Sequence, residues 1–492
     1  MPPYPREVLR HLEQPTGGGS LHDADALGSS GAAACGDVVH IGLRIHGGRV
    51  RSASFQAFGC GAALAAASAA CELLDGVGIE TGMRLSRQDL DDALGGLRPD
   101  RAHGPELVED AVARAFEDWF SARLGQMGTP RHGGRVAVAM SGGVDSAVAA
   151  LVLRDAGWDV VGVTMRLWHD PGAAAHERSC CSPETVQLAR RSAHALGIPH
   201  LTLDAAERFR QGVVEDFVEG YRQGRTPNPC VTCNGHVRFR LLAEAAALLG
   251  AERLATGHYA RVVREGGRAR LRRAADASKD QSYMLARLEG PVLDRLLFPL
   301  GGMRKERVRR MAASAGLPAA DAVESQEICF VGEGGYRPFL ERHADLSPRP
   351  GPIVDEAGRR LGDHDGYWRF TVGQRRGIGV ASEEPLYVLA TDPRTNQVVV
   401  GSRERLLCDT LELGEATVHD ELGGDPLEVR VRYRGASGRG WARPSGAGGL
   451  TVDLLEPVGA VAPGQTAALY RRGRLVAAGT IARSAQGPSG GS

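Results

Sequence analysis

The 492-residue sequence predicts a multidomain chain: an α+β N-terminal domain, an α/β doubly wound parallel-sheet domain, a small central β-rich domain and a C-terminal β-barrel-like domain. Three observations carry this expectation. The length exceeds what a single hydrophobic core normally serves. From Arg135 onward, strand-like apolar runs alternate with helix-like ones, the pattern of a parallel sheet. From about Gly351 the pattern changes to short β-rich runs broken by Gly and Pro, as in PLYVLATDPRTNQVVVG.

In chain order, residues 1–123 contain VVHIGLRIHGGRVRSASFQAF, a strand pair whose Gly47-Gly48 step predicts a hairpin turn. Helix-like stretches follow from Gly61 to Leu74 and from Pro105 to Phe120. Residues 124–134, within LGQMGTPRHGG, read as a linker. Residues 135–334 supply strand RVAVAM, loop SGGVDS, helix AVAALVLRDAG, strand WDVVGVTM, helix SPETVQLARRSAHALG and strand IPHLTLD. Residues 335–406 and 407–484 form the two β domains, which we read as presenting substrate, and 485–492 is expected to be a disordered tail.

No stretch approaches the apolar length that spans a bilayer, and MPPYPREVLRHLEQ lacks the apolar core of a signal peptide. A cytoplasmic enzyme without a membrane partner is the expectation. The formal net charge is zero, so a nucleic acid must be gripped by local segments such as MRKERVRRM, GQRRG and VRVRYRG. Of 59 basic residues only Lys279 and Lys305 are lysines, which singles out both positions.

Nine cysteines, odd in number and dispersed, argue against a secreted disulfide framework and for thiols with chemistry. Cys71 and Cys408 read as core residues, and Cys180 and Cys181 carry no assignment. The C-x-x-C of TPNPCVTCN, Thr226 to Asn234, is compatible with half a zinc site, a redox dithiol, part of an iron-sulfur cluster, or a nucleophile with a neighbour. Zinc is disfavoured because no second pair completes four ligands.

SGGVDS, Ser141 to Ser146, stands between the first strand and first helix of the parallel sheet, where such folds bind ligands. Gly142 and Gly143 let backbone N–H groups close on phosphate oxygens, Ser141 and Ser146 add hydroxyls, and the helix dipole favours the anion. Asp145 is placed to help hold Mg²⁺ on a nucleotide. The loop resembles the pyrophosphate loop of enzymes that adenylate with ATP, and it lacks the lysine of γ-phosphoryl transfer loops.

Further motifs follow in order: TPNPCVTCN, ATGHYAR, KDQSYML, SQEICFVGE, FTVGQRRGIG, VRYR and AVAPGQ. Together they resemble the tRNA-specific 2-thiouridylases, which place sulfur on C2 of the wobble uridine. The resemblance implies ATP and Mg²⁺ as cofactors, tRNA as partner, and a cysteine desulfurase or other donor as the sulfur source. It implies an ATP set of Ala139, Met140, Ser141, Gly142, Gly143, Val144, Asp145, Ser146, Met165 and Gly257. It implies Cys233 as nucleophile and Cys329 as persulfide carrier, the two being left as a disulfide after transfer. It places Asn228, Pro229 and Cys230 beside the target base, and His258, Lys279, Asp280, Gln281, Arg432, Tyr433 and Gln465 against tRNA. Some family members carry Asp at position 230, suited to acid-base work; Cys230 here opens a second reading, a [4Fe-4S] cluster on Cys230, Cys233 and Cys329.

The front segment, with AAACGDVV, FGCGAALAAASAACELL and RAHGPELVEDAVARA, resembles the iron-sulfur cluster scaffold proteins. That resemblance implies a [2Fe-2S] site on Cys35, Asp37, Cys60 and His103. Gly104 stands where the family has its third, sulfur-receiving cysteine, so a cluster here would arrive from elsewhere, with Cys71 as an alternative third ligand. A different class of function also remains in view, an iron-sulfur carrier whose rear half only binds tRNA or nucleotide. The sequence leaves the sulfur donor, the tRNA set and the oligomeric state open.

Overall fold

The computed structural model describes residues 4–32, 36–98, 101–123, 134–168, 170, 182–322, 328–332, 334–435, 437–446 and 448–485. Cys35, the linker 124–133, Cys180, Cys181 and the tail from 486 lie outside the described residues.

The N-terminal domain is built on an antiparallel sheet of β1 (Ala26–Ala32), β2 (Asp37–His46) and β3 (Arg49–Phe58). Gly47 and Gly48 both take positive φ, 60° and 74°, the backbone a tight two-residue hairpin turn demands. Along β2 every second residue, Val39, Ile41, Leu43 and Ile45, turns into the core. Helices α1 (Arg6–Glu13), α2 (Gly61–Leu74), α3 (Ile79–Gly82), α4 (Arg87–Ala93) and α5 (His103–Ser121) cover it. The alanine-rich α2 is buried nearly all round, and its small side chains let α1 and α5 approach closely.

The second domain holds a parallel sheet of β4 (Arg135–Ala139), β5 (Asp159–Arg166), β6 (His200–Asp204) and β7 (Arg253–Thr256). Next along the chain come β8 (Ala260–Glu265), β9 (Arg268–Arg273) and β10 (Leu296–Leu297), the last of which completes the sheet in the order β10-β7-β4-β5-β6. Val136, Ala137 and Val138 are all buried, as expected of a strand covered on both faces. The chain winds outward from β4 through β5 and β6, then crosses to the other side at β7. Loops after β4 and β7 therefore diverge and leave a crevice at the carboxyl ends of the strands. Helix α6 (Val144–Asp155) follows β4, and α7 (Pro183–Ala195) starts with Ser182 capping the Thr185 N–H and Pro183 in the first turn.

The β8–β9 hairpin leaves the parallel sheet, and β9 pairs at Arg272 with Arg474 of the C-terminal domain. That domain is a closed six-stranded barrel, with Cys408–Val418 pairing Arg474–Ala485 to shut it. The central domain has one helix, Tyr336–His343, and a four-stranded sheet between Gly351 and Gly401. No helix among the described residues is long and apolar enough to cross a membrane.

The N-terminal domain is docked onto the second by charge. Along α5, Glu106 meets Arg191 at 2.6 Å, Glu109 meets His194 at 3.1 Å, Asp110 meets Arg190 at 3.2 Å and Glu117 meets Arg166 at 2.9 Å. Arg135, the first residue of β4, donates to Glu80 of α3. Burial pushes the Glu117 carboxyl up to about 7 despite Arg166 beside it.

Candidate active site

The phosphate loop is pinned from three sides. The Ser141 amide donates to Ser146 Oγ at 3.1 Å, and the Ser146 hydroxyl donates to the Gly143 carbonyl at 2.8 Å. Ser146 is buried and braces the loop, while Ser141 is exposed. Gly142 has φ +76°, and a methyl group there would lie 2.4 Å from the Thr185 carbonyl oxygen of α7. A methyl group at Gly257 would lie 2.7 Å from the Asp145 carbonyl carbon and Ser146 nitrogen, so that glycine lets the end of β7 press on the loop.

One cleft at the switch point gathers Ala139, Met140, Ser141, Asp145, Ser146, Met165 and Gly257 from the ATP set, along with His258 and Gln281 from the tRNA set. Gly142, Gly143 and Val144 form the turn and the first residue of α6 behind it. Two polar wall residues, Thr256 and Arg238, were not singled out by the sequence, nor were the apolar Val163 and Leu167. Asp145 accepts from Lys305 Nζ at 2.7 and 2.8 Å and from the Tyr259 hydroxyl at 2.8 Å. Lys305 is buried, so one of the two lysines is a partner of the phosphate loop. His258 Nδ1 lies 2.8 Å from Thr256 Oγ1. Burial, with Arg238 nearby, pushes its ring down to about 3, so it is a neutral imidazole at physiological pH.

The thiol motif starts a helix. Asn228 caps it by accepting from the Val231 N–H, and Pro229 occupies the first turn. Cys230 is half-buried; Cys233 is buried and opens a π-helical turn, Cys233–Arg238. The approach to this helix is held from both β domains. Gln465 Nε2 donates to the Thr226 carbonyl at 2.8 Å, and the Thr226 N–H donates to the Pro463 carbonyl at 2.8 Å. Gly464, φ +89°, leaves no space for a side chain against Thr226. From the central domain, Thr391 Oγ1 donates to the Gly224 carbonyl and the Tyr367 hydroxyl to that of Arg222.

Cys329 is half-buried, and the next residue, Phe330, packs its ring on Phe209 and Phe217. The segment carrying those rings also packs against the helix of Cys230 and Cys233, so both candidate thiols flank one scaffold. The sulfur atoms of Cys230, Cys233 and Cys329 do not all lie within 4.8 Å of one another.

The remaining tRNA candidates meet across a domain seam. Tyr433 lies near Lys279 and Asp280, with its ring 6.3 Å from that of Tyr283. Asp280 is buried and accepts from the Ala274 and Ser282 amides, fixing the loop that carries Lys279 and Gln281. Gln281 Oε1 accepts from the Tyr259 amide, and Arg432 donates to the Val372 carbonyl.

In the front domain, Asp37, Cys60 and His103 place one ligand atom each within 4.8 Å of one another. His103 Nε2 is 3.4 Å from Cys60 Sγ and 3.2 Å from Asp37 Oδ2. Burial disfavours the Asp37 carboxylate, but hydrogen bonds from Cys60 and His103 outweigh it and hold the group below the usual range. This mixed O, N and S donor set fits one iron or another single borderline cation such as zinc. Cys71 belongs to the core: it lies eleven residues along α2 from Cys60, about 16 Å, is buried, and burial pushes its thiol up to about 12. The alternative of Cys71 as third ligand therefore fails. Cys408 is likewise buried, in the first barrel strand.

Family models match the chain in four consecutive pieces. They are a NifU-like N terminal domain at 3–125, a tRNA methyl transferase HUP domain at 134–333, a tRNA methyl transferase PRC-barrel domain at 337–402 and an aminomethyltransferase beta-barrel domain at 420–481. The tRNA-specific 2-thiouridylase MnmA of Sorangium cellulosum is 46% identical over 73% of this chain and 95% of its own length. The bifunctional protein NifU/MnmA of Rubrobacter xylanophilus is 47% identical over 98% of this chain and 99% of its own length. Because that likeness covers nearly the whole of both chains, from the front domain to the C-terminal barrel, the chain belongs to the family of bifunctional NifU/MnmA proteins.

Proposed function

We propose that this protein is an ATP-dependent tRNA thiolase that replaces the C2 oxygen of the wobble uridine with sulfur. The observation that carries the reading, in a chain related end to end to a NifU/MnmA protein, is that the helical segment from Pro229 through Cys233 ends at Arg238, which lines the same cleft as the braced phosphate loop. The uridine O2 attacks the α-phosphorus of ATP, the α,β-anhydride bond breaks, and pyrophosphate leaves. Asp145, held by Lys305 and Tyr259, is the carboxylate placed to hold the nucleotide's Mg²⁺, which would screen phosphate charge.

Sulfur then arrives as a persulfide on Cys329. Its terminal sulfur attacks C2, and AMP leaves with the original oxygen. The Cys233 thiolate attacks Cys329 Sγ, the S–S bond breaks toward C2 to leave the thiocarbonyl, and a Cys233–Cys329 disulfide remains for an external thiol to reduce. Lys279, Gln281, Arg432, Tyr433 and Gln465 lie on the surfaces around the catalytic segment that would receive the anticodon arm. The front domain holds iron at Asp37, Cys60 and His103 that is delivered from elsewhere and passed on, since position 104 has no cysteine to accept sulfur.

The test is incubation of tRNA with full-length protein, ATP, Mg²⁺ and a persulfide donor, followed by nucleoside mass analysis. One added sulfur at the wobble uridine is expected, lost in Cys233→Ala and in Cys329→Ala. Undiminished thiolation by Cys233→Ala removes the nucleophile, and unlabelled nucleosides with wild type favour the carrier function.

A further inference from the structure

We propose that Arg238 is a catalytic residue of this reaction, whose guanidinium holds the phosphate of the departing AMP one helical turn from the Cys233 thiol. The inference rests on the thiolase reading and deepens it. Arg238 lines the nucleotide cleft with Ser141, Asp145 and Gly257, and it is the sole Lys or Arg among the described residues that do so. The phosphate loop brings no lysine of its own, and Lys305 is engaged with the Asp145 carboxylate behind the cleft wall. His258, the other basic side chain of the wall, is held neutral and adds no positive charge. Arg238 is thus the cation of this cleft.

The helix geometry gives that cation a second neighbour. Cys233 and Arg238 are the first and last residues of one π-helical turn. In an α-helix, residues five apart point about 140° away from each other. A π-turn joins residue i to residue i+5, which stacks the two on one face. Cys233 and Arg238 therefore share a face, with the guanidinium on the nucleotide side and the thiol one turn earlier. A regular α-helix at the same place would aim one of the two away from the reaction.

The chemistry has a use for such a group. When sulfur adds to C2 and the C2–O bond breaks, the electron pair stays with oxygen and AMP gains negative charge on its phosphate. A planar guanidinium offers two parallel N–H donors to phosphate oxygens, and in a site screened from water such a donor acts where charge develops. The same contact on the α-phosphate supports the earlier loss of pyrophosphate, so adenylation and sulfur transfer share one cation.

The test uses the full-length protein with tRNA, ATP, Mg²⁺ and a persulfide donor, comparing wild type with Arg238→Met, Arg238→Lys and Arg240→Met. Arg240 is exposed and pairs with Glu289, so it serves as the control. Arg238→Met is expected to lower kcat for 2-thiouridine formation by about 10²- to 10³-fold, the loss typical of one charge-stabilising donor. Binding of tRNA and the melting temperature should stay at wild-type values, and Arg238→Lys should recover part of the rate. A merely structural arginine would instead lower the melting temperature and weaken tRNA binding, with no recovery by lysine, and that result overturns the proposal. So does a kcat within about threefold of wild type in Arg238→Met. Wild type that forms no 2-thiouridine overturns the thiolase reading and this inference together.

Discussion

Gly104 offers a direct measure of how far the front domain has moved from a sulfur-receiving scaffold. It sits in the first turn of α5, next to His103, and faces the start of α2. A methyl group added there would lie 2.8 Å from the Ala62 carbonyl carbon, 2.9 Å from the Ala63 nitrogen and 3.0 Å from the Ala62 oxygen. All three are backbone atoms, so no rotamer change relieves the contact. Ordinary van der Waals separation requires the two helix ends to part by about 0.6 Å, and overpacking of this kind costs roughly 1–3 kcal/mol. For a domain of about a hundred residues, each kcal/mol lowers the melting temperature by about 4–8 °C. The expectation for Gly104→Ala is therefore a front-domain transition lower by about 4 °C or more, with faster hydrogen exchange at the start of α2. Parting the helices also pulls His103 from Cys60, so iron or zinc bound per chain should fall. Gly104→Cys should suffer the same strain and gain no sulfur acceptor. A Gly104→Ala protein that melts with wild type, or a Gly104→Cys protein that binds metal more tightly, refutes the reasoning.

Two further expectations come from the cleft. Lys305→Met leaves Asp145 without its cation, and a hydrogen bond to a charged group is worth about 1.5–3 kcal/mol, so kcat/KM for ATP should drop by roughly ten- to a hundredfold. Lys305→Arg should not restore it, because the longer guanidinium cannot take the place of a compact ammonium in a buried pair; full activity in either variant, measured by pyrophosphate exchange, contradicts the assignment. His258 concerns acid stability: with its ring pushed down to about 3, the unfolded chain binds a proton that the native state refuses between that value and the ordinary 6.5. Its contribution is present above about 6.5 and is lost as pH falls toward about 3. Denaturant unfolding at a series of pH values should show a shallower decline for His258→Gln than for wild type, and identical slopes would mean the ring is hydrated.

The local chemistry was legible from the chain alone. SGGVDS between a strand and a helix, C-x-x-C behind an Asn-Pro cap and Gly47-Gly48 between alternating strands are short-range signals, each fixed by a few neighbouring residues, and each structure they imply is present. The β class of the C-terminal part was readable because its short β-rich runs are broken by Gly and Pro. Cys71 was readable as core because its helix is apolar, and Cys408 because it stands in a strand-like run; both are buried.

What the tertiary structure decided are the matters that depend on partners far along the chain. The pairing of Lys305 with Asp145 spans 160 residues and leaves no periodic trace. The acidic face of α5 and the arginines of α7 cancel in a net charge of zero, so the docking of the front domain was invisible to composition. The π-turn that aligns Arg238 with Cys233 arises where the helix packs against its neighbours, since no propensity written in CNGHVR selects it. Gly104 looked like a missing ligand in the sequence; the structure gives it a reason, because two helix ends meet there at a distance that admits no side chain. Sequence fixes local conformation through short-range sterics and hydrogen bonds, whereas the placement of charge against charge and backbone against backbone is settled only when the cores close.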